Sequence, residues 1–216
     1  MKLGPSDNRG GRVSMNEPAT IIPPTDSGLP HAGPLGEQSG EQIPLADLMG
    51  PAAVVDVTGL AAMGTPGVSP WITPDHLREW EARRGPFRRG EIVLLHTGWD
   101  RHYRPWPEGR AYAYNPVATR TGPGWPAPSA ETLEYIHARG VVTLGIDAPS
   151  IGAAHDPLTP HYAGLERGMR YVENLTGLDR LPERGAYFIF LPLKVEGASG
   201  CPGRAIAMVP QEPERR

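Results

Sequence analysis

The chain has 216 residues, and its 21 Lys and Arg stand against 24 Asp and Glu, a formal charge of -3. That length suits one domain with a full core, and the charge balance argues against a nucleic-acid surface or steering by polyanions and membranes. No apolar run approaches the ~18 residues of a membrane span. The N-terminal MKLGPSDNRGGRVSMNE has no apolar signal core, and the single Cys201 excludes an internal disulfide framework and a cysteine-based zinc cluster. A cytoplasmic protein is the expectation.

The 27 glycines and 26 prolines cluster between apolar runs rather than replacing them, which predicts an α/β domain with long Pro/Gly-rich loops. Residues 1–42 read as an irregular N-terminal segment packed on a domain of residues 43–209, with a tail at 210–216. IPLADLMG (43–50) predicts a short helix stopped by Gly50. PAAVVDVTG (51–59) predicts a buried strand. TPDHLREWEARRG (73–85) predicts a helix with Thr73 as N-cap, Pro74 at its first position and Gly85 as its stop. EIVLLHTGWD (91–100) reads as a strand with His96 and Trp99 at its far end. A loop rich in aromatics and prolines (102–128) follows, then a capped helix, SAETLEYIHARG (129–140), and a buried strand, VVTLGI (141–146). GAYFIFLPLKVEG (185–197) alternates as a strand, and GASGCPGRAIAMV (197–209) reads as a glycine-rich turn holding Cys201 that leads into a final strand. Strands alternating with helices predict parallel βαβ units in a mixed sheet core with flanking helices.

The functional signal lies in GIDAPSIGAAHDPLTPHYAGLERGMRYVENLTGL (145–178). Asp147 directly follows a strand, where open α/β sheets place their ligands. His161 and Glu173 are separated by a segment that can hold a helical turn and return a carboxylate to the imidazole. Such a pair suits acid–base work or a divalent metal. Each residue also has a plain structural role open to it. Asp147 can cap its turn, Glu173 can pair with Arg167 or Arg170, and His155, beside Asp156-Pro157, can be solvated. His155, Trp99, Trp106, Tyr112 and Trp125 are the expected pocket residues, the aromatics suiting an aromatic or extended apolar ligand or a subunit interface.

In order along the chain, GPAAVVDV, GEIVLLHTGWD, GVVTLGIDAPSI, the His161–Glu173 spacing, ENLTGLDRLP and FIFLPLKVEGASGCPGRAIA resemble the cyclase family of metal-dependent hydrolases, the group of kynurenine formamidase and isatin hydrolase. The resemblance implies a swivelling β/β/α fold, a homodimer or homotetramer, and hydrolysis of a formamide, lactam or similar acyl bond in a small molecule.

The family's metal motif, His-x-Gly-Thr-His-x-Asp-x-Pro-x-His, is missing. Only Pro18 survives; aligned on it, the ligand positions become Gly10, Ser14 and Asn16, and the last His becomes Thr20. A deletion joining MNE to PAT leaves Thr20 in the same place, and the resemblance thereby makes Thr20 an expected pocket residue. What the resemblance carries over is His161 and Glu173 as ligands of a second metal. Asn16, Asp26, His31 or Asp147 are the available replacements for the rest. Three readings stay open. The first is an enzyme of catabolism or secondary metabolism with metal-free acid–base chemistry by His161 and Glu173, helped by Asp147. The second is an amide or lactam hydrolase with a rebuilt site holding a single Zn, Mn or Fe ion. The third is a non-catalytic binding or assembly protein on the same fold.

Overall fold

A computed structural model describes residues 39–210 in full and the backbone of 12–14 and 19–22. The strands are β1 (Arg12–Ser14), β2 (Ala19–Ile22), β3 (Met49–Asp56), β4 (Trp71–Ile72), β5 (Ile92–His96), β6 (Ala127–Pro128), β7 (Thr143–Ile146), β8 (Arg170–Glu173), β9 (Arg184–Pro192) and β10 (Cys201–Met208). The α-helices are α1 (Pro74–Arg84), α2 (Ala130–His137) and α3 (Leu158–Leu165).

Among the described residues eight strands form one sheet in the order β1-β10-β2-β8-β7-β5-β3-β9, and pairing of β9 with β10 closes it on itself. β3, β5, β7 and β8 run parallel, as the βαβ pattern predicts. β2, β9 and β10 pair antiparallel.

Strand alternation splits the core in two. Val54, Leu94, Val172, Phe188, Phe190 and Ala205 belong to a cluster within the closed sheet. Val55, Leu95, Leu144, Ile146 and Tyr171 belong to a second cluster with Leu77 and Trp80 of α1 and Leu133 and Ile136 of α2. The inner cluster is full at β7: a Cβ on Gly145 would come within 2.6 Å of Leu94 Cδ2 and 2.7 Å of Leu175 Cδ1.

The helix signals hold. Thr73 precedes α1, its amide donating to Nδ1 of His76 at 3.0 Å, and Gly85 ends the helix at φ 81°. Ser129 caps α2, its hydroxyl accepting from the Thr132 amide. At the start of β5, the buried Glu91 binds Arg184 of β9, whose guanidinium lies 4.7 Å from the Trp80 ring centroid.

Three expectations fail. The helix expected over 43–50 is a single 3-10 turn, Leu45–Asp47, and Gly50 lies inside β3. The apolar run continuing past Gly50 lets strand pairing with β9 extend back to Met49, with a register shift at Pro51. Residues 12–14 and 19–22, expected to be irregular, pair with β10 and β8, because β8 and β10 offer edges there. The final strand expected within 197–209 is present as β10, but Cys201 is its first residue and fully buried rather than part of the turn before it. No helix among the described residues is long and apolar enough to cross a membrane.

Candidate active site

The site forms at the carboxyl ends of β5, β7 and β8. His161 lies on α3 and Glu173 is the last residue of β8; both are buried, at 1% and 4% exposure. His161 Nε2 is 3.4 Å from Glu173 Oε1. The other ring nitrogen, Nδ1, is 2.6 Å from the Pro157 carbonyl oxygen. A carbonyl only accepts, so Nδ1 carries the proton and the neutral ring presents a lone pair at Nε2. Two acceptors then face one another, and either a proton or a cation belongs between them.

The charge environment agrees. Burial disfavours the imidazolium, but the Glu173 carboxylate and the Pro157 carbonyl outweigh it, so His161 titrates above its ordinary value. Glu173 Oε1 also accepts from the Ile151 amide at 2.7 Å, which fixes the carboxylate. Arg167 and Arg170, the alternative partners for Glu173, bind Glu134 and Asp47.

Asp147, completely buried, binds the turn after β5. Its Oδ1 accepts from the amide (2.8 Å) and hydroxyl (2.5 Å) of Thr97, and its Oδ2 from the Gly98 amide (2.8 Å). Gly98, at φ 66°, supplies the left-handed turn that aims this amide. Burial pushes the Asp147 carboxyl up to about 6, against the Thr97 and Gly98 hydrogen bonds and the His96 imidazole 3.9 Å away.

The expected pocket residues divide. Tyr112 donates its hydroxyl to Asn174 Oδ1 at 2.9 Å, and Asn174 follows Glu173. Trp99 is buried and donates from Nε1 to the Tyr112 carbonyl at 2.9 Å. Trp125 is buried and donates to the carbonyls of Ser150 and Gly152. These two indoles hold the loops that carry Tyr112 and Ile151. Trp106 is 65% exposed under the Arg110 guanidinium. His155 is exposed, accepts from the Ser69 amide and lies edge-on to Trp71. Thr20 is paired in backbone register with Glu173; its side chain, like Asn16, Asp26 and His31, lies outside the described residues.

Thr97, Gly98, Ile151, Pro157 and Asn174 were not anticipated. Gly98, Ile151 and Pro157 act through backbone groups alone, which no side-chain pattern reveals, and Thr97 uses its amide as well as its hydroxyl. Asn174 carried a usable signal, since Asn tolerates the left-handed conformation it adopts at φ 61°.

The residues present fit a metal in part. Two ligands at about 2.1 Å on a tetrahedral ion lie about 3.4 Å apart, the separation of Nε2 and Oε1. Among the described residues no group of three or more His, Cys, Asp or Glu is arranged to hold an ion. The described chain therefore gives two donors where a protein site takes three or four.

A family model described as "Putative cyclase" matches residues 17–153. The chain belongs to the cyclase family. It is 33% identical over 145 residues to an isatin hydrolase of Roseibium aggregatum, covering 65% of this chain but 53% of that protein. It is 30% identical over 187 residues to a kynurenine formamidase of Bordetella pertussis, covering 82% and 76%. The chain thus spans about half of the first relative and three quarters of the second. A crystal structure of an isatin hydrolase bound to the product analogue thioisatinate superposes with a TM-score of 0.75 at 26% identity, over 89% of this chain and 71% of that one. The curled mixed sheet with flanking helices is therefore the cyclase-family fold.

Proposed function

We propose that this cyclase-family chain is an enzyme acting on a small aromatic or extended apolar carbonyl compound by acid–base chemistry at His161 and Glu173. One observation carries the reading: the imidazole, its tautomer set by Pro157, is aimed through Nε2 at a carboxylate oxygen 3.4 Å away. Glu173 takes a proton from a water molecule or from a carbon next to the carbonyl. His161, its Nε2 facing Glu173 and its pKa raised, holds that proton between Nε2 and Oε1, and the pair returns it to the oxygen or leaving group on which charge develops. Asp147 fixes the Thr97–Gly98 turn at the end of the neighbouring strands, and Tyr112 holds Asn174, next to Glu173. Supporting the substrate class are the aromatics near the pair and the hydrolase names of the relatives.

Turnover of a panel of aromatic formamides, lactams and enolisable ketones tests this. At least one compound turns over, and His161→Ala and Glu173→Gln each reduce the rate by about 10²-fold or more. Undiminished turnover in His161→Ala would remove the pair from the chemistry.

The 3.4 Å separation also favours a second reading, a hydrolase with one bound metal. His161 and Glu173 would then be two ligands, and the ion would polarise the scissile carbonyl as a Lewis acid. Elemental analysis of unsupplemented protein decides between them. About one metal per chain, lost in His161→Ala, selects the hydrolase; metal-free protein that retains turnover selects the acid–base pair.

A further inference from the structure

We propose that the cleft walled by Tyr103, Arg104, Pro105, Gly109 and Tyr112 is a subsite for a planar anionic group of the substrate, an aryl or conjugated carboxylate set away from the reacting carbon. The proposal rests on His161–Glu173 as the reacting centre. The cleft measures about 450 Å³, within the range of small-molecule sites. The Tyr103 and Tyr112 rings pack edge to face on each other at 5.2 Å between centroids and give the cleft an aromatic wall against which a flat ring or conjugated chain can lie.

The loop is cationic, and its arginines are not equivalent. Burial first, then the charges of Arg101 and Arg104, push the His102 imidazole below its ordinary value, a sign of the local positive field. Arg101 is anchored on the Gly98 carbonyl, and Arg110 lies over Trp106 and Tyr114. Arg104 lines the cleft; it gives one Nη1 hydrogen bond to the Tyr103 carbonyl. Among the described residues no carboxylate pairs with it. A guanidinium fork held beside aromatic walls is the arrangement that binds a carboxylate in two-point fashion.

Two features link the cleft to the reacting pair. Tyr112 lines it and also holds Asn174, next to Glu173. Burial and the charges of Asp147, Glu173 and Asp100 push the Tyr112 phenol far up, so it remains a neutral donor. Gly109 keeps the loop's shape, since a Cβ there would overlap the Arg104 carbonyl oxygen.

The test is binding of benzoate and benzamide to the full chain, followed by tryptophan fluorescence and calorimetry, with no turnover needed. Benzoate binds saturably and at least about tenfold tighter than benzamide, the scale of a charge-assisted hydrogen bond. Arg104→Gln brings benzoate down to the benzamide level, and Arg110→Gln leaves it unchanged. The subsite is overturned if benzoate does not saturate, if the two probes bind equally, or if Arg104→Gln leaves benzoate binding intact. Failure of the reacting centre reads out separately, as undiminished turnover in His161→Ala.

Discussion

The Tyr112 hydroxyl donates to Asn174 Oδ1 at 2.9 Å, joining the aromatic loop to the residue that follows Glu173. Asn174 is a non-glycine residue in the left-handed region, at φ 61°, and its amide donates to the Ala148 carbonyl. Asn174→Gly keeps the backbone conformation and loses only the side-chain bond, at about 1 kcal/mol. Asn174→Ala adds backbone strain of about 1 kcal/mol. Urea unfolding therefore orders the variants wild type, Gly, Ala in falling stability. Alanine equal to glycine would show that the turn is not strained.

Removing one member of the buried pair costs more than removing both. His161→Ala leaves the Glu173 carboxylate buried against the Ile151 amide alone among the partners described, a loss of about 3 kcal/mol. The double variant His161→Ala, Glu173→Gln recovers part of that loss. Because Glu173 raises His161, the imidazolium's stabilising contribution is complete below pH 6.5 and is lost as pH rises through the higher folded-state value. A double-mutant cycle by chemical unfolding at pH 6 and pH 9 shows coupling that shrinks at the higher pH.

Asp147 has the same sign of pH dependence through a different cause. Its carboxyl is raised from 3.8 to about 6, chiefly by burial. The favourable contribution is present below pH 3.8 and disappears as pH rises through about 6, a change of about 3 kcal/mol at most. Asp147→Asn does not titrate there. The stability of the wild type relative to this variant therefore falls between pH 4 and pH 7 in urea titrations. A flat difference would mean that the Thr97 and Gly98 donors offset the burial completely.

Gly145→Ala tests the packing within the closed sheet. The added methyl meets Leu94 and Leu175 at 2.6 and 2.7 Å, so strain of about 1–3 kcal/mol follows and Tm drops. Gly145→Ala combined with Leu94→Val restores part of the loss, because the clashing Leu94 Cδ2 is removed.

The fold was legible wherever local chemistry and tertiary contacts agree. Thr73, Pro74 and Gly85 bound α1 as their capping chemistry requires, and VVTLGI gave β7 within two residues. At 43–50 the helical pattern lost to sheet pairing with β9, a contact more than a hundred residues away. Residues 12–14 and 19–22 carry little strand signal among glycines and prolines, and their pairing comes from the edges they meet. In the site, the meeting of His161 and Glu173 was readable because α3 and β8 are consecutive elements. The bonds of Asp147 to the 97–98 turn were not, because they join strands separated by fifty residues of sequence.

Closure of the sheet by β10 orders events in the making of the protein. Residues 201–208 sit between β9 on one side and β1 and β2 on the other. Until that segment leaves the ribosome, a strand from each end of the chain has an edge with no neighbour. The nascent chain therefore passes through an interval in which these strand edges are unpaired and open to other chains, and ring completion waits on contacts far apart in sequence. A ribosome stalled before residue 201 would present that open form to chaperones.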